Sequence, residues 1–308
     1  MHKHMTHPME KIPVRQLRFN FDAVEHHNPV WSESKPEFSI FLNALGVDVP
    51  HFERFLVKVM RAYRDELDDA KLKKDVQAII GQEAHHALNF INWTREMSKH
   101  YPKLTALDQH AKDYFELAFQ KKSKKFKIGF TAGYETFTFL GGMIVLNRYE
   151  ELMGRADPTI RALWVWHQVE EVEHGAVAFD FYKAFYPQFY KAFYPQDEWY
   201  RRWMVVLAYG HISWETFKAY AHMVKVERYY RSPKKAFKAW QFFVSFAIDL
   251  ARSALPVLSR KYHPAEHPLC NELQNPLAAA WRDYYTSGND VHSLSNEDIR
   301  RIMNAQTI

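Results

Sequence analysis

Two short stretches of this 308-residue chain repeat one chemical pattern: Glu83-Ala84-His85-His86 and Glu171-Val172-Glu173-His174 each place a histidine three residues after a glutamate. Three residues on an α-helix turn through about 300°, so the two side chains share a face and can grip one metal ion. A surface pair would look the same, and the neighbours decide between the two. The face carrying Glu83 reads Leu72, Val76, Ile79, Ile80, His86, Ala87, Phe90; that carrying Glu171 reads Ile160, Leu163, Trp164, His167, His174, Ala178, Phe181. Both set ionisable groups inside an apolar stripe, the side that turns to a core. A carboxylate buried without a partner is unfavourable, and a metal ion supplies the partner.

Two further glutamates sit on apolar faces. Glu53 neighbours Leu56, Val57 and Met60, and Glu135 neighbours Ile128, Ala132, Phe139 and Gly142. Glu53 and Glu83 are equidistant from position 68, inside a turn expected at Asp65–Lys71; Glu135 and Glu171 are equidistant from position 153, beside Gly154. Residues equidistant from the turn of an antiparallel helix pair lie at similar heights, so all four are expected at one level of a four-helix arrangement. His167 precedes Glu171 by one turn and shares its face. It is read as a third histidine ligand, with a core histidine bonded to a ligand carboxylate as the alternative. The candidate metal set is thus Glu53, Glu83, His86, Glu135, His167, Glu171 and His174. Carboxylate oxygens with imidazole nitrogens suit two ions of iron, with manganese or zinc as the other choices.

The elements that must position these residues are helical. Only 10 glycines and 14 prolines interrupt the chain, which favours long helices. Helices are expected at Pro36–Leu45, His51–Asp69, Lys71–Lys99, Leu104–Lys122, Lys124–Met153, Asp157–Tyr186, Asp197–Arg228, Pro233–Ser259 and Pro276–Thr286. The octapeptide FYKAFYPQ occurs at Phe181–Gln188 and again at Phe189–Gln196, a local duplication whose prolines should break the helix there. The expected fold is all-α: an N-terminal arm over 1–36, a ferritin-like four-helix di-metal bundle over 37–196, and a C-terminal helical extension over 197–308 packed upon it.

Composition narrows the function classes. Hydrophobic residues at 47% and aromatics at 16% provide a sizeable core, while 25% charged residues describe a soluble chain. Cys270 is the sole cysteine, which excludes an internal disulfide framework or a multi-cysteine metal site and suits a reducing cytoplasm. The N-terminal MHKHMTHPMEK lacks the apolar run of a secretory signal. The net charge is +5, with clusters at Lys121–Lys127 and Arg228–Lys238, but no nucleic-acid motif accompanies them. The apolar stretch Trp203–Val226 contains His211, Glu215, Lys218 and His222, which argues against a membrane span and leaves a peripheral membrane contact only as one of the partners the chain allows.

At GQEAHH (Gly81–His86), the glutamate of YET (Glu135), WHQVEEVEHGAVAFDFY (Trp166–Tyr182) and YHPAEHP (Tyr262–Pro268), the chain resembles the bacterial family of predicted metal-dependent hydrolases. The likeness runs from about Val14 to Pro268. It departs at Phe90, where that family often has a second histidine. The pattern of four glutamates and three histidines is also similar to the di-iron arylamine N-oxygenases, of which p-aminobenzoate N-oxygenase is the type. That resemblance implies oxygen activation, with O2 and an electron donor as co-reactants and a small organic substrate against an aromatic wall of Tyr134, Phe137, Trp164 and Trp166. The reading placed first is therefore a di-iron oxygenase or oxidase. A hydrolase using a metal-activated water follows, and a non-catalytic iron-binding protein comes third. A homodimer is among the assemblies this allows.

Overall fold

The computed structural model describes residues 7–21, 27–186, 196–270 and 275–304. Among them the regular structure is helical, apart from an isolated bridge between Ser32 and Ala156. The first helix, α1, runs unbroken through Pro36–Tyr63. The sequence suggested two helices here, one ended by Gly46 and the next opened by Pro50. Pro50 instead lies inside the helix, and the reason is local. A proline leaves the carbonyl four residues earlier without its helical donor. That carbonyl belongs to Gly46, and the Thr94 hydroxyl donates to it at 2.9 Å.

Helix α2 spans Ala70–Ser98, opened by the Asp69 carboxylate, which accepts from the Leu72 amide. Helix α3 (Leu104–Lys121) crosses over, and α4 (Lys124–Asn147) starts at a Ser123 cap. The two long helices expected next are each interrupted once. A short α5 (Tyr149–Met153) follows α4, and α6 (Pro158–His174) is separated from α7 (Val177–Phe185) at Gly175–Ala176. A Cβ on Gly175 would stand 2.7 Å from the Phe139 ring, so only glycine lets the end of α6 close on α4. Of the octapeptide repeat, residues 187–195 lie outside the described residues. Helices α8 (Gln196–Val226), α9 (Pro233–Ser253), α10 (Pro276–Thr286) and α11 (Asn296–Asn304) complete the chain; the last carried no sequence expectation.

Helix α1 packs on α2, α3 and α8, while α4 packs on α6, α7 and α8. The α4–α8 approach is backbone-close: a Cβ on Gly133 would meet the Met204 carbonyl at 2.5 Å. One apolar cluster runs through these helices and takes in the arm through Leu17, Phe19 and Phe21. Asn89 of α2 clamps that arm, accepting from the Phe19 amide and donating to the Leu17 carbonyl, each at 2.9 Å. The clamp sets Arg15 against α6.

Candidate metal centre

Four helices turn the seven candidate side chains toward one buried region: Glu53 from α1, Glu83 and His86 from α2, Glu135 from α4, and His167, Glu171 and His174 from α6. None is more than 4% exposed. Their donor atoms fall into two groups, Glu53, His86, His167 and Glu171, and Glu83, Glu135, Glu171 and His174. Within each group the atoms lie within 4.8 Å of one another. Glu171 belongs to both. Glu171 and His174 share a group, whereas Glu83 and His86 of the other Glu-x-x-His pair fall into adjoining ones. His86 turns its Nδ1 to a point 3.5 Å from Glu83 and 3.6 Å from Glu171, between the two groups.

The chemistry of the donor set fits metal ions. Both oxygens of Glu83, one oxygen each of Glu53, Glu135 and Glu171, and His86 Nδ1 are buried with no hydrogen-bond partner. Each such atom costs about 1–3 kcal/mol when left unsatisfied, so the cluster together approaches the whole stability of a domain, about 5–15 kcal/mol. Cations at the two group centres would satisfy all of them. Four ionised glutamates also match the charge of two divalent ions.

The cluster without metal holds protons instead. Burial pushes the Glu53 carboxyl up to about 7. Burial, helped by the charge of Glu171, raises Glu83, and burial also raises Glu135. For Glu171 burial acts upward too, but His174 and His167 on either side overcome it and hold this carboxyl well below the usual range. His86 and His174 go well above theirs, because the facing glutamates outweigh the effect of burial.

An outer layer fixes the imidazoles. His174 Nδ1–H donates to the Gln82 side-chain oxygen at 2.8 Å, leaving Nε2 to face Glu83, Glu135 and Glu171 at 3.1–3.4 Å. His86 Nε2–H donates to Glu170 at 2.9 Å, leaving Nδ1 for the centre. Arg15 binds Glu170 and Glu173 at 2.8–2.9 Å, Arg282 of α10 binds Glu173 at 2.8 Å, and Gln82 donates to Glu173 at 3.2 Å. Such partners set tautomer and orientation in metal sites. The sequence reading missed Gln82, Glu170, Glu173, Arg15 and Arg282. The signal was present for three of them: Gln82 adjoins Glu83, and Glu170 and Glu173 flank the ligand face of α6 at one-turn spacing. His167 is held differently. Its Nε2 lies 3.2 Å from Glu53 and 3.0 Å from Glu171, but its Nδ1 faces the Gln168 amide nitrogen at 3.0 Å. Coordination through Nε2 requires that amide to turn over and present its oxygen.

Beside His167 lies a cavity of about 60 Å³, walled by apolar side chains that include Leu45, Val49, Phe90, Phe137, Trp164 and Phe246. Phe137 and Trp164 of the expected aromatic wall are here. Tyr134 and Trp166 are not: the Tyr134 hydroxyl donates to Asp48 at 2.5 Å and meets His211 at 2.7 Å, and Trp166 packs edge-on against His86. Phe90 lies 4.7 Å from the His167 ring, so the departure noted at this position gives the cavity an apolar wall.

A family model described as "Predicted metal-dependent hydrolase" matches residues 13–268. No curated protein and no solved structure matches the chain. The chain belongs to that family.

Proposed function

We propose that this member of the predicted metal-dependent hydrolase family is a two-metal enzyme, built on a ferritin-like four-helix arrangement, that hydrolyses a small and largely apolar organic substrate. The observation that carries the reading is an adjacency: His167 belongs both to one metal-sized group and to the wall of the apolar cavity. Glu53, His86, His167 and Glu171 would hold one ion, and Glu83, Glu135 and His174 the other, with Glu171 spanning both. Two divalent ions would supply Lewis acidity and a lowered pKa for water or, as iron, a means of activating O2. The chain's own part is positional. Gln82 and Glu170 fix two imidazoles, Arg15 and Arg282 balance the outer glutamates, and Phe90, Phe137 and Trp164 exclude bulk water while orienting an apolar substrate beside His167.

The family assignment supports hydrolysis ahead of the oxygenase reading that the ligand pattern first suggested. Oxygen chemistry remains the second reading, favoured by a donor set rich in carboxylates and by a cavity whose one ionisable wall residue, among the described residues, is His167. The two separate in one experiment. Protein loaded without air with Mn, Zn or Fe is assayed against a panel of apolar esters and amides, and the ferrous protein is then given O2 and a reductant. Anaerobic turnover supports hydrolysis. O2 consumption with substrate oxidation and no anaerobic turnover supports the second reading, and iron uptake without turnover in either assay leaves a metal-binding protein.

A further inference from the structure

We propose that the outer face of the α8–α9 hairpin docks on an anionic lipid surface. The two helices run antiparallel at close range, because Tyr209 donates to the Ala247 carbonyl and Tyr220 to the Ala239 carbonyl, both at 2.9 Å. Those two bonds set the register. They place Trp203 level with Leu255, Gly210 with Ile248, and Trp214 with Val244. All of these residues are exposed, Trp203 and Trp214 each at 58% and Leu255 at 63%. On α8 the exposed positions 199, 203, 206, 210, 214 and 217 follow a helical stripe, yet the opposite side of that helix is buried through Met204, Ala208, Ile212 and Tyr220. A helix apolar on both sides is covered on both sides, by protein or by lipid. Helix α9 repeats the feature, and Pro233–Leu258 is the one stretch among the described residues long and apolar enough to cross a membrane. Its inner residues Phe242, Phe246 and Leu250 are locked into the protein core, so the geometry points to lying on a bilayer and not to spanning one.

Charge selects the occupant. At one end of the hairpin Lys225, Arg228, Arg231, Lys234, Lys235 and Lys238 are exposed, and at the other Arg252, Arg260 and Lys261. Cations rimming an apolar face, with tryptophans along it, suit the headgroup boundary of an anionic membrane. A second copy of this chain would bring the same cations against one another. The inner side of the same hairpin supplies Ile212, Phe246 and Leu250 to the cavity beside His167, so a docked chain would have one helix layer between lipid and cavity.

The test is sedimentation of the full chain with vesicles of phosphatidylcholine alone or mixed with phosphatidylglycerol. It needs no turnover, so its result is independent of the proposed reaction. Binding should require phosphatidylglycerol, weaken as salt rises, and shift tryptophan emission to the blue. Each exposed cation near the surface is worth about fivefold in affinity, so Arg231→Gln/Lys234→Gln, at the exposed end of the hairpin, should weaken binding on the order of 25-fold. Trp203→Ser/Leu255→Ser, both at exposed positions, should weaken binding to the mixed vesicles and reduce the blue shift, with the thermal midpoint unchanged. No binding to either vesicle, equal binding to both, or a dimer in light scattering that Trp203→Glu converts to monomer would each overturn the proposal.

Discussion

His86 Nε2 lies 2.9 Å from a carboxylate oxygen of Glu170, with both side chains buried, and Arg15 grips the other oxygen of that carboxylate at 2.9 Å. The arginine holds Glu170 in place, and Glu170 in turn commits the proton of His86 to Nε2, so that Nδ1 points to the centre. Glu170→Gln keeps the shape and removes the charge. It should weaken metal binding about 10–100-fold, the usual effect of losing such a partner, with circular dichroism unchanged. Metal content after graded chelation measures this, and retention equal to wild type would remove Glu170 from the site's support.

Glu171 is the one side chain common to both metal-sized groups. Glu171→Ala should therefore lose both ions, whereas Glu53→Ala should keep the ion of the Glu83, Glu135, Glu171 and His174 group. Elemental analysis of the two purified variants distinguishes them. Two ions per chain in Glu171→Ala would place the metals elsewhere.

His167 tests the group of Glu53, His86 and Glu171 from the other side. His167→Ala should retain one tightly held ion and weaken the other. Gln168→Glu, which can only accept from His167 Nδ1–H, should hold both ions at least as well as wild type, because it forces Nε2 to carry the lone pair toward Glu53 and Glu171. Loss of an ion in Gln168→Glu together with full occupancy in His167→Ala would mean that His167 donates to the carboxylates and does not coordinate.

Metal uptake should be proton-coupled. The metal-free cluster has Glu53 near 7, Glu83 and Glu135 raised by burial, and His86 and His174 raised by the glutamates they face. At pH 6 Glu53, His86 and His174 therefore still hold protons that a metal must displace, and the upward shifts of Glu83 and Glu135 act in the same direction. Affinity should therefore be tighter at pH 8 than at pH 6, and calorimetry in two buffers of different ionisation enthalpy should show protons released. An affinity independent of pH over that range would contradict the assignment.

Asp48 makes a separate prediction about stability. Burial pushes its carboxyl up to about 7 from an ordinary 3.8, against the opposing hydrogen bond from Tyr134, and one of its oxygens has no partner. The folded state thus binds this proton more tightly than the unfolded state. The resulting stability is fully present below about pH 4 and is lost as pH rises to about 7, a swing of roughly 4 kcal/mol at most. Asp48→Asn, which still accepts from Tyr134, should gain stability relative to wild type between pH 5 and pH 8. Parallel denaturation curves at both pH values would show that Asp48 is not held protonated.

Gly141 lines the cavity, and a Cβ there meets nothing within 4 Å. Gly141→Ala should stabilise the chain by about 0.5–1 kcal/mol through helix propensity alone. Gly141→Leu should fill the cavity and suppress turnover with both ions still bound. Unaltered turnover in the leucine variant would exclude the cavity as the substrate site.

The inward set of glutamates and histidines was legible in the chain because helical periodicity is a one-dimensional property. A carboxylate inside an apolar stripe announces itself at 3.6-residue spacing, and distance from a turn converts sequence position into height. The all-helical class followed from the same patterns. What the sequence could not decide is which donors meet across the gaps between helices. Glu83 and His86 share a helix face, yet they fall into different groups, because α6 brings His174 to the one and His167 to the other. The outer partners were hidden for a related reason: Arg15 and Arg282 lie more than a hundred residues from the Glu173 they both bind, and no local pattern links them. Pro50 shows the same limit at the level of the backbone. A proline reads as a helix boundary until a hydroxyl from another helix, here Thr94, satisfies the carbonyl it leaves open, and only tertiary packing brings that hydroxyl within reach.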